Sequence, residues 1–152
     1  MRCLAACLIG LATFCAAPLR AAEPPPHAWL FGEWTGGLFP APPHPTAEMC
    51  RAQPTLVFMR DVVLRATLTD VTYLQRVVAT ARTYGDHTDF TFAPEPPAAG
   101  ATDPLTGAQV ASSGGFGCAS PDELHVVRKS ANEIVLPDCA DFPNPLVRCP
   151  SR

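Results

Sequence analysis

Apolar and polar residues alternate along most of this chain in short runs, and that period of two limits its possible folds more than any motif does. Over residues 62–69, Val62, Leu64, Ala66 and Leu68 fall on one face and Val63, Arg65, Thr67 and Thr69 on the other, the pattern of a strand with one dry and one wet face. Residues 123–136 read as a hairpin. Leu124, Val126 and Arg128 alternate with His125, Val127 and Lys129, Ser130-Ala131-Asn132 turns with Asn132 expected in the left-handed region, and 133–136 returns. Residues 29–39 set large rings between small or polar neighbours and 55–60 read as a further strand, while Thr46 is placed to cap a short helix over 47–52 that Pro54 ends. The stretch 71–84 admits two readings. As a helix it is capped by Asp70, carries Val71, Leu74, Val77, Val78 and Ala81 on one stripe and stops at Gly85; as a strand, 73–82 pairs through Tyr84-Gly85-Asp86-His87 with 88–92. Its valines and threonines favour the strand. The expected fold is mostly β, a single small disulfide-bonded antiparallel barrel or sandwich, or α+β if 71–84 is helical.

Residues 1–21 follow the order of a secretory signal peptide: Arg2, an apolar run from Leu4 to Ala17, then Pro18, Leu19, Arg20 and small residues. The run is too short and wrongly flanked to span a bilayer, and no later apolar run approaches that length, so no membrane span is expected in the mature chain. Cleavage after Ala21 leaves a Pro-rich leader, 22–28, in which Pro24, Pro25 and Pro26 favour an extended backbone. The remainder, 29–152, has the length of one domain, with a flexible loop expected at 94–115 from its Pro, Ala, Gly, Thr and Ser. The expected location is exported, periplasmic or secreted.

Export makes the cysteines structural. Of seven, Cys3, Cys7 and Cys15 lie in the signal, leaving Cys50, Cys118, Cys139 and Cys149, an even set without C-x-x-C that reads as two disulfides with three possible pairings. The turn formers between Cys139 and Cys149 favour that pair, with Cys50 joined to Cys118. The formal charge is −3, and loss of Arg2 and Arg20 makes the chain more acidic still; with no basic cluster, nucleic acid and anionic lipid are poor partners.

Catalytic motifs are missing: no G-x-S-x-G, H-E-x-x-H, P-loop or dinucleotide glycine pattern occurs. Ser112 and Ser113 read as a Gly/Ser linker, and Asp86, His87 and Asp89 as an Asp-rich hairpin turn rather than metal ligands. His125 activates Cys118 only if that thiol is reduced, and the adjacent carboxylates Asp122 and Glu123 face opposite sides of a strand. No catalytic residue, metal or cofactor is expected.

Gly32-Glu33-Trp34, preceded by Trp29-Leu30, resembles the G-x-W signature of lipocalins and other calycin barrels, and the similar glycine and tryptophan of avidin-like barrels. The resemblance implies that Trp34 closes one end of a barrel beneath a basic side chain from near the C-terminus, for which Arg148 is the candidate.

Three functions fit these observations. The first is a non-catalytic exported protein that binds a protein partner, as an accessory subunit or inhibitor, with Trp29, Phe31 and Phe39 as apolar contacts and Trp34 in the core. The second is a calycin-like carrier of a small apolar ligand, and the third an enzyme with an unrecognised site.

Overall fold

The computed structural model describes residues 23–52, 55–66, 74–95 and 115–150. Among them a short 3-10 helix, Ala28–Leu30, precedes β1 (Gly32–Gly36), which is followed by α1 (Ala47–Ala52), β2 (Thr55–Phe58), β3 (Val62–Arg65), β4 (Leu74–Tyr84), β5 (His87–Phe92), β6 (Glu123–Ser130), β7 (Glu133–Val135) and β8 (Leu146–Arg148). Each strand pairs antiparallel with the next and β8 returns to β1, closing the barrel. Closure is made by Trp34 opposite Arg148 and Gly36 opposite Leu146. The chain is mostly β, and the described part of 71–84 is the strand β4 rather than a helix, hairpinned to β5 through Gly85, whose φ of +58° suits the tight turn. The expected signal peptide at 1–21 and most of the expected loop at 94–115 lie outside the described residues.

A strand meander with alternating direction sorts its connections. Residues 59–61, Gly85–Asp86 and Ala131–Asn132 make short turns at one end, where the 3-10 helix also enters; β1, β3, β5 and β7 end, and β2, β4, β6 and β8 begin, at the other. We call these the closed end and the mouth. The turn after β6 differs from expectation, because the register shifts between Arg128 and Ser130 and, among the described residues, none other than glycine has positive φ. The extra residue is taken up as a bulge. Asn132 instead accepts from the Arg148 amide through its carbonyl at 2.9 Å.

The period of two determines the interior. Trp34, Leu56, Phe58, Val63, Phe90, Phe92, Leu124, Val126, Ile134 and Leu146 are buried on every strand but β4, whose buried residue is Arg76. Strand β3 departs from its sequence pattern. Pairing of Phe58 with Val63 turns Val63 and Arg65 inward and leaves Val62 and Leu64 half-buried on the outer wall. A hydropathy pattern selects a face only when nothing polar has a partner inside, and Arg65 has one in Asp141 at 2.7 Å.

The disulfides are Cys50–Cys149 and Cys118–Cys139, not the expected Cys139–Cys149 and Cys50–Cys118. Strand β8 separates Cys139 from Cys149, carrying the chain from the mouth to the closed end. Cys149, whose amide donates to the Glu33 carbonyl, thereby reaches α1, which packs on β1 and begins under its Thr46 cap.

Candidate functional site

At the closed end the residues implied by the G-x-W resemblance meet. Trp34 is fully buried, its indole N–H donates to the Leu30 carbonyl at 2.8 Å, and the Arg148 guanidinium lies 4.2 Å from its ring centroid. Arg148 faces inward because it is opposite Trp34 across the closing seam. Its fork donates to the carbonyls of Phe31 at 2.8 Å, Ala131 at 3.4 Å and, in a short contact, Trp29, so the 3-10 turn is fastened over the barrel by one side chain. Burial, and then the charge of nearby Arg128, lower the Arg148 pKa, without bringing a guanidinium near neutrality.

Beside it, Arg128 stacks 3.7 Å from the Trp29 centroid, and the Trp29 N–H donates to Thr88 at 3.2 Å. The Thr83 hydroxyl donates to the Pro26 carbonyl, which can only accept, so Thr88 donates to Thr83 in turn. His27 is buried and bonds the Arg60 carbonyl through Nε2, which must therefore carry the proton. These contacts leave the closed end stoppered and polar groups aligned within it. A closed eight-stranded antiparallel barrel with an arginine over the G-x-W tryptophan is consistent with a lipocalin/calycin-like small barrel fold.

Comparison with known proteins finds no match, whether to family models, curated sequences or solved structures.

From the stopper an aromatic file runs toward the mouth. The His27 and Phe90 centroids are 5.3 Å apart, Phe58 and Phe90 5.7 Å, Phe90 and Phe92 6.3 Å, and Phe92 and Phe116 5.2 Å. Phe58, Phe90 and Phe92 come from strands. Phe116 comes from the long connection before β6 and is still buried in the same cluster.

The mouth is framed by two more inward arginines, Arg65 at the end of β3 and Arg76 on β4, the latter placed on the interior face by the alternation of 74–84 although its charge argues against it. Arg76, only 2% exposed, donates to the Pro121 carbonyl at 2.6 Å and to Asp122 at 2.5 Å and lies over Phe92. Arg65 pairs with Asp141 and lies over Phe142. Both aspartates come from connections rather than strands, so the charges anchor the loops to the rim. The Cys118–Cys139 bridge joins the same connections, with the Ala119 and Ala140 amides donating across to Asp138 and Gly117. Asn144 then ties this roof to the connection after β1 through the carbonyls of Gly37 and Leu38, each 3.1 Å away.

The three proposed apolar contacts do not share a surface. Trp29 and Phe31 are half-buried at the closed end, whereas Phe39, 58% exposed, follows β1 at the mouth beside Leu38, 55% exposed. Ser112 and Ser113 lie outside the described residues. Cys118 is bridged and has no thiol to activate, while His125 bonds Asp89 at 2.8 Å across β5 and β6 on the outer wall. That hydrogen bond, offset in part by burial and reinforced by the carboxylate charge, raises the His125 pKa from 6.5. Asp122 serves Arg76, Glu123 faces Thr91, and His87 lies beside Asp86 at 3.5 Å. Phe116, Phe142, Arg65 and Arg76 were not singled out from the sequence. For Arg76 the signal was available in parity, since it shares a face with Leu74 and Val78; for the two phenylalanines, which lie on connections, no periodic signal exists.

Proposed function

We propose that this protein binds a small apolar molecule inside the barrel, taken up at the mouth, and that it does so without catalysis after export. The observation that carries the reading is the file of Phe58, Phe90, Phe92 and Phe116 running from a stoppered end toward the end at which β1, β3, β5 and β7 finish. Eight strands make an interior of the size that either side chains fill or one small ligand shares with them, and apolar walls with few polar groups are the usual lining of such sites. Two disulfides suit an oxidising compartment.

The test is to purify the protein from its native envelope, extract it with organic solvent and identify co-purified molecules by mass spectrometry. A single apolar species at near-stoichiometric amount, which rebinds the stripped protein and changes tryptophan emission, supports the reading. A stripped protein that takes up no apolar probe refutes it.

A second reading, a protein partner, is favoured by one specific feature. Leu38 and Phe39 are more than half exposed on a connection held rigid by Asn144, and a preordered aromatic contact loses little entropy on binding. Phe39→Ser abolishes capture of a specific partner on this reading and leaves ligand uptake unchanged.

A further inference from the structure

Phe116 is unlike the other rings of the interior. It is 1% exposed and packs edge-on against Phe92, yet it is carried by a connection and lies between two glycines. Gly117 holds φ +73°, and a Cβ there would come within 2.2 Å of an Asp141 carboxylate oxygen; a Cβ on Gly115 would come within 3.2 Å of the Pro121 backbone. The glycines let the backbone turn tightly enough to drive the ring inward. The segment ends immediately at Cys118, whose bridge to Cys139 secures it to the opposite connection.

We propose that Phe116 is a gate whose ring occupies the seat a ligand takes at the mouth, and that the Cys118–Cys139 bridge is the latch holding it there. This rests on the ligand-binding reading above and names the ligand class. A seat that accepts a phenyl ring edge-on to Phe92 suits a molecule with a compact aromatic ring. The ligand is uncharged, because the rim arginines Arg65 and Arg76 are engaged by Asp141 and Asp122 and a buried carboxylate or ammonium without a partner is strongly disfavoured. Entry exchanges one ring for another, so interior apolar contact is conserved and the barrier lies in moving the latched segment.

The experiment compares the full exported chain with Phe116→Ala and with Cys118→Ser/Cys139→Ser, using toluene as probe and benzoate as its charged counterpart, read by calorimetry and stopped-flow fluorescence. Truncating a buried ring leaves an apolar cavity that stays dry and accepts small aromatic molecules. Phe116→Ala is therefore expected to bind toluene on the order of tenfold or more tightly than the unmodified protein, and benzoate at least about tenfold more weakly than toluene. The double serine variant, which keeps Phe116, is expected to bind toluene with an association rate raised by roughly tenfold. Folded Phe116→Ala without toluene binding overturns the gate. Tight toluene binding by the unmodified protein, unchanged in both variants, overturns the gate while sustaining the ligand-binding reading. No uptake of toluene or of any apolar probe by any form overturns both. If Phe116→Ala does not fold, the serine variant decides: an unchanged association rate overturns the proposal.

Discussion

Replacing Arg148 by methionine tests the closed end most directly, because one side chain there makes several separable contacts. The guanidinium lies over Trp34 and donates to the carbonyls of Trp29 and Phe31. A partly desolvated cation–π contact contributes about 1 kcal/mol, and each charge-assisted hydrogen bond about 1.5 kcal/mol when the group retains some access to water. Methionine keeps the apolar stem but none of these, so the expected loss is about 4 kcal/mol. For a domain of this length each kcal/mol lowers the melting temperature by roughly 4 °C, so a fall of about 15 °C follows. Arg148→Lys keeps a charge over the ring, but its single ammonium cannot span both carbonyls, and the loss is about half as large. Thermal and urea unfolding with the disulfides intact measure both variants, and a double-mutant cycle with Trp34→Phe isolates the ring contact, expected at about 1 kcal/mol. A methionine variant within about 0.5 kcal/mol of the parent, the range of a neutral surface change, or a lysine variant equal to arginine, would show that Arg148 is not the fastener of the 3-10 turn.

Non-reduced peptide mapping is expected to recover Cys50 with Cys149 and Cys118 with Cys139. The former closes a separation of 99 residues and the latter 21, so removing the first pair is expected to destabilise more, about 5 against about 3 kcal/mol by loop entropy; the reverse order would contradict it. Because Asp89 raises the His125 pKa above 6.5, this pair contributes stability that is fully present below the unfolded-state value and is lost as pH rises through the folded one. Asp89→Asn should lower the imidazole pKa measured by NMR and flatten that part of the stability profile, and an unshifted titration would exclude the ion pair in solution. Gly37→Ala introduces a Cβ 2.2 Å from the Phe142 ring at φ +86°, and should cost on the order of 2 kcal/mol; Phe39→Ser, on the same connection, should change stability by less than about 0.5 kcal/mol. Equal effects on chemical unfolding would mean that the connection is not held against Phe142.

What could be read in advance was whatever repeats locally. The β5 rings Phe90 and Phe92, the hairpin through Gly85 and the alternation of β6 depend on neighbours within a few positions. Trp34 and its cover Arg148 were reached through a short motif, and the closing seam brings them face to face. The mouth was largely illegible. Phe116, Phe142, Asp122 and Asp141 lie on connections without period, and Arg65 and Arg76 occupy interior positions that their charge disguises. In β3 the apolar residues Val62 and Leu64 even point outward, since the pairing of Phe58 with Val63 outweighs the hydropathy of one short strand.

The sequence by itself determined the period of two, the turn at Gly85, the short helix capped by Thr46 and a set of four cysteines suited to two bridges. Each follows from backbone preferences or from composition, which act within a segment and need no partner elsewhere. Only the tertiary structure decided which cysteines meet, which face of β3 turns inward and that two loop phenylalanines complete the interior. Those outcomes depend on closure of β8 onto β1, a contact between distant parts of the chain. Until it forms, no segment carries the information about which of its neighbours will lie across the barrel.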